Sequence, residues 1–118
     1  MALNSYKDLV VWQKSFELVK VVYKLSGQLP NYEAYGLVSQ MRRCAISIPS
    51  NIAEGQQRHN LGEYKQFLGI AKGSAAELET QLLLCRDLHK KDIEIPLNLL
   101  LEVQKMLGSL NRKLEPKT

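Results

Sequence analysis

At 118 residues the chain can bury about two-thirds of the surface that its unfolded form exposes, so one domain spanning 1–118 needs no disulfide or metal staple. Its apolar fraction of 45% is ordinary, but aromatics are only 7% and leucine is plentiful, which favours helices over a β-sandwich. The net charge is +4; no stretch nears the roughly 18 apolar residues of a membrane span and no basic-then-apolar leader opens the chain, so the expectation is a cytoplasmic protein with no membrane partner.

The first predicted helix covers 8–27. Ser5 and Asp8 stand at capping-box spacing, and Leu9, Trp12, Phe16, Val19 and Tyr23 recur at steps of 3 and 4, a stripe that predicts Trp12 and Phe16 as core anchors. Ser26-Gly27-Gln28-Leu29-Pro30-Asn31 ends that helix, and Asn31 is placed to cap the next. The second predicted helix, 32–57, contains Pro49, yet Val38, Met41, Ala45, Ile48 and Ile52 keep helical spacing straight through it. Proline in a helix interior removes a donor and costs about 3 kcal/mol, so the pattern predicts a kink offset by burial on both sides.

Asn60 and Glu63 form a second capping-box signal that opens a helix over 61–89. Tyr64, Phe67/Leu68, Ala71, Ala75, Leu78, Leu82 and Cys85 hold a heptad register there, the seam of left-handed bundle packing. Lys90-Lys91-Asp92 breaks the pattern. The last helix, 93–114, carries Pro96 in its first turn and turns Leu97, Leu100, Val103, Leu107, Leu110 and Leu114 inward, and Glu115–Thr118 reads as a frayed tail. Four amphipathic helices with short links predict an all-α, antiparallel up-down-up-down four-helix bundle whose core includes Trp12, Phe16, Ile48, Ile52, Phe67, Leu78, Leu82 and Leu107.

The chemical inventory is thin. His59 and His89 sit at different helix ends with no ligand-spaced Cys, Asp or Glu, and Glu77 and Glu79 point away from each other on a helix. Ser74 lacks the G-x-S-x-G elbow of a hydrolase, and the isolated Cys44 and Cys85 read as buried small hydrophobes. These patterns predict no catalytic residue, metal or cofactor. Gly69 and Gly73, four apart, suit close approach of another backbone more than a phosphate cradle. The face of the second helix opposite its stripe carries Arg43, Ser47, Ser50 and Glu54, with Glu54 expected to bond Asn51 or a neighbouring chain.

Charge is uneven: residues 1–72 hold nine Lys/Arg against five acids, whereas 73–118 hold seven of each. A basic half can attract phosphates, and Arg42, Arg43, Arg58, Lys65 and Lys72 are its candidate contacts. Arg42 flanks the apolar stripe and suits a subunit contact, which leaves Arg43 as the better phosphate ligand.

Three ordered blocks carry a resemblance. The run QMRRCAISIPSNIAEG from Gln40 to Gly55, the opening Tyr6-Lys7-Asp8-Leu9-Val10-Val11-Trp12-Gln13-Lys14, and the stretch from Glu63 to Leu82 are similar to the signature segments of the 23S ribosomal RNA intervening-sequence protein family. Cys44, where that family usually has a small apolar residue, and His89-Lys90-Lys91 depart from the pattern. The resemblance implies a small four-helix bundle assembled as a homopentameric ring. The similar accessory variability determinant proteins of diversity-generating retroelements form basic barrels that bind nucleic acid and a reverse transcriptase. Two functions follow as expectations. One is a non-enzymatic accessory protein whose basic ring binds RNA or DNA phosphates, or a ribonucleoprotein partner such as a reverse transcriptase. The other is a protein-interaction and assembly module without nucleic-acid binding, in which Ser47, Ser50, Glu54, Gly69 and Gly73 serve self-association.

Overall fold

The computed structural model describes residues 5–114, so the tail at Glu115–Thr118 lies outside the described residues. It contains α1 (Val10–Ser26), α2 (Leu37–Gln56), α3 (Leu61–His89) and α4 (Glu94–Lys113), with one-turn 3-10 helices at Tyr6–Asp8 and Asn31–Glu33 and no strand among the described residues. α1 packs on α2 and α4, and α3 packs on the same two helices, while the diagonal pairs stay apart. Short links between neighbours make each antiparallel to the next, and the result is the expected four-helix bundle, about 49 by 25 by 23 Å.

Heptad spacing sets the interior of α3: Leu68, Ala71, Ala75, Leu78, Leu82 and Cys85 are buried. Met41, Ala45, Ile48 and Ile52 of α2 and Leu100, Val103 and Leu107 of α4 meet them, so those stripes face inward as predicted. α2 runs unbroken through Pro49, which is itself buried, with buried residues on both sides of it.

α1 departs from the prediction. Its buried face is Val11, Ser15, Leu18, Val22 and Leu25, one residue round from the stripe of larger side chains. Trp12 is only half-buried, and Phe16 and Tyr23 are 46% and 40% exposed. The helix carries two parallel stripes, and the core takes the narrower one. Ser15 fits there because its hydroxyl donates to the Trp12 carbonyl at 2.9 Å, which satisfies the polar group inside the helix. Phe67, also predicted as core, is half-buried at the α2–α3 edge.

Two helix starts also differ. Ser5 accepts from the Lys7 amide within the first 3-10 turn instead of capping α1, which begins at Val10 after an extended Leu9. Asn31 opens the second 3-10 turn, and α2 begins only at Leu37. There the carboxylate of Glu33 accepts from the Leu37 amide at 3.4 Å, taking the place of a side-chain cap. Asn60 behaves as read: its Oδ1 accepts from the Glu63 amide at 3.0 Å.

Candidate functional site

The outward stripe of α1 forms one wall of an open groove. Trp12 packs between Tyr6, at 5.4 Å between ring centroids, and Phe16, at 5.1 Å. Across from them Ile46, Pro49, Ser50 and Ala53 of α2 complete a cleft of about 350 Å³, with Lys20 at its margin above the Phe16 ring. Pro49 thereby contributes one edge to this cleft while most of its surface is buried. Clustered exposed aromatics beside apolar side chains are what interaction surfaces carry.

The five candidate cations do not form one patch. Arg42 is held within the chain: its guanidinium donates to Ser26 Oγ at 2.9 Å and to the Tyr23 carbonyl at 3.4 Å and stacks 4.4 Å from the Tyr23 ring centroid. The contact expected between subunits is therefore made inside one chain. Arg58 pairs with Glu54 at 3.2 Å and Glu63 at 4.0 Å and covers the Phe67 ring. Arg43, Lys65 and Lys72 have no hydrogen bond or ion pair among the described residues. Lys65, Lys72 and Glu79 lie seven apart on one edge of α3, and Glu79 accepts from Gln104 of α4 at 3.0 Å, which places that edge on the α4 side. Arg43 lies on α2, next to Cys44, whose contacts are with α3, so these free cations occupy two separate edges.

The self-association candidates separate in the same way. Ser47 is engaged inside the molecule, sharing a 2.8 Å hydrogen bond with Ser74 of α3 and accepting from Asn51. Glu54 binds Arg58 and not Asn51, whose amide donates to the Ser47 carbonyl at 2.7 Å instead. Ser50 lines the aromatic groove. Gly69 and Gly73 face open space, with nothing within 4 Å of a Cβ built on either. The close approach of backbones falls at Gly55, where a Cβ would stand 2.8 Å from that of Phe67 and 3.1 Å from the Tyr64 ring.

At one end of the bundle, His89 Nε2 lies 2.6 Å from Glu33 Oε2, joining the end of α3 to the turn before α2. This hydrogen bond holds the Glu33 carboxyl below the ordinary value of 4.5. Sequence spacing offers no sign of it, since the two residues are 56 positions apart. Burial raises the thiols of Cys44 and Cys85; both are free and buried, as read from the sequence. Among the described residues no cluster of three His, Cys, Asp or Glu could hold a metal, and no helix is long and apolar enough to cross a membrane.

A bundle of four antiparallel helices with an aromatic groove on its outer surface defines the class of small all-α helix-bundle proteins. The family model of the 23S rRNA-intervening sequence protein matches residues 7–112, and the chain belongs to that family. A crystal structure of a protein of unknown function from the S23 ribosomal protein family of Bacteroides thetaiotaomicron is similar to it, with a TM-score of 0.80 and 28% identity over 86% of this chain and 98% of that one. No curated protein matches the chain.

Proposed function

We propose that the protein acts without catalysis, as an accessory that assembles with copies of itself into a basic ring and holds nucleic acid by its phosphates. The observation that supports the assembly is the aromatic groove of α1 and α2, where the 46% exposed Phe16 stands beside Tyr6 and Trp12 and faces Ile46, Pro49 and Ala53. A neighbouring helix suits such a groove, and the smooth outer face of α3 around Gly69 and Gly73 is open to supply one. The groove lies along the α1–α2 side and α3 occupies a different corner of the bundle, so the contact is heterologous, and a rotation that closes makes a ring rather than a fibre. Nucleic-acid binding draws on Arg43, Lys65 and Lys72, the candidates with no hydrogen bond or ion pair among the described residues. The second reading, assembly without nucleic acid, is favoured by the engagement of Arg42 and Arg58.

Light scattering at tens of micromolar tests the assembly. The unmutated protein is expected to give a multiple of the 13.4 kDa protomer, pentameric by the family resemblance, and Phe16→Glu to give the protomer mass with its helical circular dichroism intact. A protomer mass for the unmutated protein defeats the reading. Fluorescence anisotropy on labelled RNA and DNA tests the second part, with Arg43→Ala, Lys65→Ala and Lys72→Ala expected to weaken binding together. Binding indifferent to all three, in a protein that still assembles, leaves the assembly module as the function.

A further inference from the structure

We infer that the turn between α1 and α2 carries a stacking platform for single-stranded nucleic acid, made by Tyr32 and Tyr35 and flanked by Lys90 and Lys91. The two rings are 78% and 98% exposed, the largest exposures among the large apolar side chains described. They are nevertheless presented by an ordered backbone. The Glu33 amide donates to the Pro30 carbonyl at 2.9 Å, Ala34 to Asn31 at 3.1 Å and Gly36 to Glu33 at 3.0 Å. The Glu33 carboxylate then ties the turn to His89, whose ring centroid is 6.0 Å from that of Tyr32. Much of the backbone entropy that a partner would otherwise have to remove is already lost, and a tyrosine adds only two side-chain torsions.

Charge selects the partner. Three of the carboxylates at this end are engaged, Glu33 with His89, Asp87 with Arg86 at 2.8 Å and Asp92 with the Glu94 amide at 3.0 Å, while the Glu94 side chain at the start of α4 has no hydrogen bond or ion pair among the described residues. Among the described residues Lys90 and Lys91, which directly follow His89, have no carboxylate in ion-pair contact; the Lys90 ammonium donates to the Asp87 carbonyl at 3.0 Å, and its charge also helps to hold the Asp87 carboxyl low. Exposed aromatic faces beside unpaired ammonium groups match bases linked by phosphates. A duplex hides the faces of its bases, so only a single strand can use the rings.

The inference rests on the nucleic-acid part of the proposed function and not on the ring. It is tested by anisotropy of labelled oligothymidylate about 12 nucleotides long, against a duplex of equal length, at fixed low salt. Tyr32→Ala and Tyr35→Ala should each weaken single-strand binding by about 5- to 150-fold. Tyr32→Phe and Tyr35→Phe, which keep the rings, should bind as the unmutated protein does, and duplex affinity and assembled mass should stay unchanged throughout. Lys90→Gln and Lys91→Gln should lower the slope of log affinity against log salt by about 0.7 for each phosphate that is no longer neutralised. Unchanged single-strand binding by the double alanine variant overturns the inference while leaving duplex binding and the proposed function standing. A change of assembled mass in that variant also overturns it, because the tyrosines then belong to a protein contact. No binding of either probe by the unmutated protein overturns both readings.

Discussion

Gly55 and Gly69 show how one residue type takes opposite roles according to what stands opposite it. At Gly55 an added Cβ meets the Cβ of Phe67 at 2.8 Å and the Tyr64 carbonyl oxygen at 3.3 Å, atoms that move only with the α3 backbone. Gly55→Ala is therefore expected to destabilise the protein by about 1–3 kcal/mol. Gly69 lies mid-helix facing open space, so Gly69→Ala should stabilise by about 0.5–1 kcal/mol through helix propensity. Urea unfolding at one protein concentration measures both, and a stabilising Gly55→Ala would contradict the α2–α3 packing. The same logic separates the two stripes of α1. Leu18 is fully buried and its truncation to alanine should cost about 2–5 kcal/mol, whereas Phe16→Ala should cost the protomer about 1 kcal/mol or less. Equal costs would return the aromatic stripe to the core.

The start of α2 is held by a contact that crosses the fold. α2 has no side-chain cap of its own and depends on Glu33, which is bonded in turn to His89 on α3. The folded-state carboxyl titrates below its ordinary value because it is hydrogen-bonded as the anion. The stability gained is fully present above the unfolded value of 4.5 and is lost as pH falls through the lower folded value. Thermal unfolding followed by circular dichroism from neutral pH to below that window should show this loss, and Glu33→Gln should flatten it. An unchanged acid profile in Glu33→Gln would show that the bond contributes nothing in solution. α3 ends differently: Lys90 adopts the left-handed conformation at φ 55° as its C-cap, so the break read at Lys90-Lys91-Asp92 is a backbone reversal.

For the whole molecule, the governing quantity is charge multiplied by copy number. One protomer carries +4 over its surface, while a ring of five gathers about +20, and phosphate contacts made together release their counterions together. If the ring engages on the order of 6 to 10 phosphates, raising salt from about 50 to 200 mM should weaken binding about 10³- to 10⁵-fold, with little dependence on base sequence. Titrations at several salt concentrations measure the slope; a flat response would mean that the free cations on α2 and α3 do not meet phosphate.

The sequence alone determined the bundle, because a helical stripe is a local property: Met41, Ala45, Ile48 and Ile52, or Leu78 and Leu82, can be counted without knowing what they touch. It also determined the Asn60 cap and the family, through residues that stand at fixed spacing. Which of two adjacent stripes on α1 faces the core was decided by tertiary structure, since Trp12 and Phe16 make a larger apolar stripe than Ser15 and Leu18 until α2 and α4 close on the narrower face. The same holds for the candidate site. Arg42 looks free in the chain and becomes engaged only when Ser26 arrives from α1, Ser47 gains Ser74 of α3 beside its local partner Asn51, and Arg58 gains Glu63 beside its local partner Glu54, while Arg43, Lys65 and Lys72 have no hydrogen bond or ion pair among the described residues. Partners separated by 16, 27 or 56 residues leave no periodic trace, and only the folded chain brings them within hydrogen-bond distance.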